Sequence, residues 1–149
     1  MQKYKNLILD LDGTLCESPA PHCLNMSTLD DIIRQMDPVK IAGLKPRIDT
    51  IKLIRDLTEE NDFQEIHVIS GRWDILSSVT RAWLSFWIKP NFINSVSLRK
   101  FEDYKLPAIM VKESMFWKLG LDPSLTIWVD DDADMCAMAE SVGMKSVKV

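Results

Sequence analysis

Short apolar runs that stop at polar turns, each followed by a stretch of helical period, constrain this chain's fold more than any other feature. "YKNLILDL", "EIHVIS", "NFINSVSL", "LTIWVDDD" and "KSVKV" have the length and apolar content of strands. Between or after them lie "KPRIDTIKLIRDLTEEN", "WDILSSVTRAWLSFWI", "PAIMVKESMFWKLG" and "ADMCAMAESVG", which read as helices. In the first of these, Ile48, Ile51, Ile54 and Leu57 form one apolar stripe. Trp83, Trp87, Trp117 and Trp128 sit at helical or strand spacing and are expected in the core, whereas Trp73 beside Ser70-Gly71-Arg72 is the tryptophan placed to stack on a base. Strands that alternate with helices of this length imply a parallel sheet with helices on both faces. The expected architecture is α/β, a three-layer Rossmann-like sheet, in one domain over residues 1–149. Residues 16–27 hold Pro19, Pro21 and Asn25 and read as loop, and a short helix is expected near 28–36.

The net charge of −4 argues against long electrostatic tracking along nucleic acid, which uses a basic face. A substrate that presents a single phosphate is compatible with it. No run is long and apolar enough for a spanning helix or a signal peptide, so neither a membrane nor an obligate protein partner is indicated. Cys16, Cys23 and Cys136 lack a disulfide framework and fit a reducing, cytoplasmic compartment. His22-Cys23 with Cys16 lacks the second cysteine pair that a structural metal site uses. The phosphate-binding pattern GxxxxGK[ST] is absent, so no kinase is attached.

Two strands end on acids. In "LILDLDGT", Asp10 and Asp12 lie two residues apart, a spacing that places both on one face of a strand. "TIWVDDDAD" supplies Asp130 and Asp131, with Asp134 further on. In parallel α/β sheets, ligands bind at the carboxyl ends of the strands. Several carboxylates at one such crevice repel unless a cation, a salt bridge or a proton intervenes. An oxygen-only donor set suits Mg2+. Ser70 and Gly71 at a third strand end offer a hydroxyl and backbone N–H groups to a phosphate. Either Asp131 or Asp134 completes the metal set with Asp130, and Asp131 needs no help from the next turn.

"DLDGT", "VISGR", "VKESMFWKLG" and "IWVDDDAD" in that order resemble the haloacid dehalogenase-like superfamily of phosphotransferases, over nearly the whole chain. The resemblance implies that Asp10 is the nucleophile and that Asp12 is the general acid/base, its side chain free to shuttle a proton. It further implies that Ser70, Gly71, Arg72 and Lys112 hold the phosphate. Mg2+ would be held by Asp10, Asp12 (through its backbone carbonyl), Asp130 and Asp131. Val129 stands where many members carry Gly. Such members often insert a large cap domain after the first motif, whereas residues 15–45 here suffice for a flap only.

"HVISGR", "TRAWL", "LRKFEDYK" and "VDDDADMCAMAESVGM" further resemble the 3'-phosphatase domain of polynucleotide kinase-phosphatases. That resemblance implies removal of a 3'-phosphate from a polynucleotide end, with Thr14, Arg99, Asp103 and Lys105 beside the substrate. The loop "CESPAPHC" has no Arg, and "LPAIMV" has no acid, where relatives of that kind can carry them. A phosphatase of nucleotides or sugar phosphates, and a catalytically silent binding module, are the alternative readings.

Overall fold

The computed structural model describes residues 3–19, 37–88 and 92–149. Its centre is a five-stranded sheet made of β1 (Asn6–Leu9), β2 (Glu65–Trp73), β3 (Ser95–Arg99), β4 (Thr126–Asp130) and β5 (Lys145–Lys148). The strand order is β3-β2-β1-β4-β5, and every pairing is parallel. The expected α/β architecture is therefore present, and β1 lies at its centre. The helices are α1 (Pro38–Ala42), α2 (Ile48–Glu60), α3 (Ser77–Trp87), α4 (Ala108–Lys118) and α5 (Ala133–Ser141).

The period of two along each strand separates two cores. Leu7, Leu9, Ile66, Val68, Ile127 and Val129 pack on one face with Leu57, Trp83 and Leu84 from α2 and α3. Ile8, Ile69 and Trp128 point the other way, onto Phe116, Met138 and Ala139 from α4 and α5. Strands covered on both faces need near-continuous apolar sequence, which is why β1 and β4 have it.

Several sequence expectations are corrected. Ile48 is 66% exposed. The buried side of α2 runs instead through Thr50, Leu53, Ile54 and Leu57, because the helix starts at Ile48 and its first residue falls outside the stripe. Trp83 and Trp128 are core, but Trp87 and Trp117 stand about half exposed at the ends of α3 and α4. Ser70-Gly71-Arg72 is not a turn, since β2 continues through it to Trp73 with a shift of register between Ile69 and Trp73. α1, capped by the Asp37 carboxylate, was not anticipated. The helix expected near 28–36, with His22 and Cys23, lies outside the described residues.

Candidate functional site

Asp10 follows β1 directly and is anchored by its backbone N–H on the Val129 carbonyl at 3.0 Å. Asp130 ends the neighbouring β4. The pairing of these strands thus brings the two carboxylates together, as their positions at strand ends predict. Lys112, one turn into α4, sits between them. Its Nζ donates to Asp10 Oδ1 at 2.8 Å and to Asp130 Oδ2 at 3.2 Å. All three side chains are buried. Asp130 is further fixed by Trp128 Nε1 on Oδ2 at 3.1 Å and by the Asp132 N–H on Oδ1 at 3.0 Å.

Burial pushes the Asp10 carboxyl above its ordinary range. Lys112 opposes that rise and Asp130 adds to it. Burial alone would lower the Lys112 ammonium, but Asp10 and Asp130 outweigh it and hold the group charged, above its ordinary range.

The chain turns sharply after Asp12. Gly13 has φ +81°, and a Cβ there would lie 2.4 Å from Asp131 Oδ2. Only glycine fits both the left-handed backbone and that approach. The turn delivers the buried Thr14 hydroxyl to the acids. Thr14 Oγ1 lies 3.2 Å from Asp10 Oδ2 and 2.9 Å from Asp131 Oδ1, and it accepts the Asp131 N–H at 3.1 Å. Thr14 is therefore inside the acid cluster, not on a substrate-facing wall. Arg47 holds the turn from outside, through Nη1 on the Gly13 carbonyl and its backbone N–H on Leu15.

Oxygens of Asp10, Asp130 and Asp131 lie within 4.8 Å of one another. Among the described residues this is where three potential metal-ligating side chains converge. Three carboxylates face the single ammonium of Lys112, and all the donors are oxygen. The set fits a divalent hard cation such as Mg2+. Asp134 is exposed in the first turn of α5 and is not part of the cluster. Of the two alternatives, Asp131 is the one that stands beside Asp10 and Asp130.

Asp12 is not free. Arg72 Nε donates to its Oδ2 at 3.2 Å, and Arg72 Nη2 donates to its Oδ1 in a forked ion pair. Arg72 Nη1 donates to Thr80 Oγ1 at 3.0 Å, inside α3. Cys16 Sγ lies 3.5 Å from Asp12 Oδ1. The guanidinium expected on a phosphate is therefore spent on Asp12 and Thr80. Ser70 Oγ accepts the Arg72 N–H at 3.1 Å, leaving its own O–H to donate.

Asp10, Asp12, Ser70, Gly71, Arg72, Lys112, Asp130 and Asp131 line one cleft of about 270 Å3, joined by Trp73 and Ala108. A larger groove of about 530 Å3 between α2 and α3 is lined mainly by apolar side chains and gathers no comparable charged set. Arg99 lies apart from the cleft. Its Nη2 faces the carbonyls of Asp103, Tyr104 and Leu106, and the loop following β3 is wound around it. Asp103 lines a separate hollow on the far side of that loop, and Lys105 Nζ sits 5.5 Å from the Tyr104 ring centroid. Sequence reasoning missed Thr80 and the Trp128 indole. A buried threonine one turn into a helix carries no local signal of its partner. Trp128 alternates with Asp130 on one strand, a signal that was present.

Comparison with solved structures places the fold. A chain of the Pnkp1/Rnl/Hen1 RNA repair complex superposes with a TM-score of 0.69 at 16% identity, over 99% of this chain and 42% of that one. The fold is that of the haloacid dehalogenase-like enzymes. The HAD-family enzyme BT-2542 from Bacteroides thetaiotaomicron, in complex with magnesium and inorganic phosphate, gives a TM-score of 0.60 at 17% identity over 97% of this chain and 93% of that one. The haloacid dehalogenase-like family protein SP0104 from Streptococcus pneumoniae gives 0.62 at 13% identity, covering 99% and 85%. This chain thus spans less than half of the repair-complex chain and most of each of the other two proteins. No protein-family model and no curated protein sequence matches the chain. No helix among the described residues is long and apolar enough to cross a membrane.

Proposed function

We propose that the protein is a Mg2+-dependent phosphomonoesterase that works through an aspartyl-phosphate on Asp10 and removes the 3'-phosphate from a polynucleotide end. The observation that carries this reading is Lys112 Nζ, held between Asp10 and Asp130 at the ends of the two central strands, with Asp131 beside them. Asp10 Oδ1 attacks phosphorus, the bond to the ester oxygen breaks, and that oxygen takes a proton from Asp12, which carries one once the entering substrate parts it from Arg72. Water then attacks the acyl phosphate and gives a proton back to Asp12, which releases inorganic phosphate. Bound Mg2+ would be held by Asp10, Asp130, Asp131 and the Asp12 carbonyl, and would neutralise charge on the phosphoryl oxygens. Lys112 and the Ser70 hydroxyl bind the remaining oxygens, with the Gly71 backbone alongside.

In this reading the residues form one domain, and positions 20–36 of the expected 15–45 flap lie outside the described residues. A cleft of about 270 Å3 takes a phosphate with its sugar and leaves the rest of a strand outside. The superposition on the repair-complex chain supports a nucleic-acid end. The free thiols of Cys16 and Cys136 fit a cytoplasmic setting.

The deciding experiment compares a 3'-phosphorylated oligonucleotide with free 3'- and 5'-mononucleotides, with Mg2+ present. The oligonucleotide should turn over faster. Equal or faster turnover of the mononucleotides would replace this substrate with a small-molecule one. Inactivity on every phosphate ester, an aryl phosphate included, would favour a silent binding module.

A further inference from the structure

Beside the cleft, the wall formed by Trp73 continues outward as an aromatic ladder that phosphate chemistry does not use. Trp73 is 2% exposed, and its ring lies under two neighbours. Arg99 Cζ sits 5.2 Å from its centroid, and Phe101 packs 6.0 Å away at 52°. Trp73 is thus covered, and it is not the stacking surface the sequence suggests. Phe101 is that surface. It is 45% exposed, and it stacks on Tyr104 at 5.6 Å with 21° between the planes. Lys105 Nζ lies over the outer ring.

The loop is built to hold this ladder still. Three of its carbonyls converge on the buried Arg99 guanidinium, so Phe101 is displayed from a pinned segment. The same wall carries two buried donors without an acceptor among the described residues, Trp73 Nε1 and Arg99 Nε. Phe101 packs on Trp73, which lines the phosphate cleft, and the exposed part of its ring offers a planar partner a surface.

We propose that Phe101, backed by Tyr104, receives the nucleobase of the nucleotide whose phosphate enters the cleft. The proposal rests on the phosphomonoesterase reading and names the part of the substrate that sets its specificity. Base stacking is tolerant of sequence, because every base has a π face. Lys105 at the outer end of the ladder then lies toward the backbone of an adjoining strand, where a cation favours phosphate.

The test measures kcat/KM on two oligonucleotides that end in a 3'-phosphate, one with a normal terminal base and one abasic at that nucleotide. The readout is the ratio of the two. In the wild type the base-bearing end should be preferred. Phe101→Ala should reduce that preference roughly 5- to 150-fold, the range of base–aromatic stacking. Phe101→Leu, which keeps the apolar bulk that covers Trp73, should reduce it as well, and Phe101→Trp should preserve it. A preference that changes less than about twofold in both Ala and Leu variants overturns the stacking role and leaves the phosphatase reading standing. A wild type inactive on both substrates overturns both. A nucleoside 3'-monophosphate run alongside separates the sources of the base. Loss on it as well as on the strand end places a free nucleotide's base on Phe101, and loss on the strand end alone places a terminal base there.

Discussion

Arg72 and Asp12 form a forked ion pair between the second strand and the turn after the first, and Thr80 holds the guanidinium from behind. A residue proposed to pass a proton is thereby fixed in direction before any substrate arrives. Such pairing depends on planarity and on two parallel donors, which a lysine lacks.

Arg72→Lys should therefore lower kcat on an aryl phosphate substantially while retaining the positive charge. Proton transfer of this kind is worth ~10²–10⁴-fold, and misdirecting Asp12 forfeits part of it. Thr80→Val should lower kcat less, and Thr80→Ser should restore it. Steady-state kinetics on the purified variants decide the matter. A Lys variant as active as wild type would show that charge alone suffices at position 72.

Lys112 is the one ammonium between two buried carboxylates. Lys112→Met should abolish activity and destabilise the fold by about 3–5 kcal/mol, because Asp10 and Asp130 lose their shared partner. Denaturant melts without added metal give the stability change. Adding Mg2+ should recover part of it without restoring turnover.

Gly13 approaches Asp131 more closely than any side chain permits. Gly13→Ala should cost about 1–2 kcal/mol from the left-handed backbone alone. Because the new methyl must displace the Asp131 carboxylate, the stabilisation given by Mg2+ should shrink too. Thermal melts with and without the ion separate these two effects.

Mg2+ itself should raise the melting temperature in a concentration-dependent way. At a hundred times its dissociation constant the gain is about 2.7 kcal/mol. Asp131→Asn should weaken that response and Asp134→Asn should leave it intact, since Asp134 lies outside the cluster. An equal response in the two variants would argue that the ion binds elsewhere.

Much of this arrangement was legible in the chain. Acids at the ends of two apolar runs mark the carboxyl edge of a parallel sheet, and the strand order then brings Asp10 against Asp130. Lys112 carries no such local mark. Helical periodicity places it on α4 but does not say that its ammonium turns inward to the acids. The partner of Arg72 is equally unmarked, because a guanidinium near a phosphate pocket has two kinds of oxygen to choose from. Its choice of Asp12 depends on Thr80, which β2 and α3 bring near through packing. The exposed faces of Trp87, Trp117 and Ile48 escape periodicity because helix ends outrun the core they pack on.

The pairing of β1 with β4 joins segments 120 residues apart, as the Asn6–Thr126 side-chain hydrogen bond records. During synthesis from the N-terminus, β1 leaves the ribosome long before the strand that covers its other edge. Until β4 arrives, Leu7, Ile8 and Leu9 have an open flank and Asp10 has no Asp130. The acid cluster and the closing of β1's second edge therefore come together in one late pairing. Half-made chains lack the acid cluster, and they expose a sticky strand that chaperones would have reason to hold.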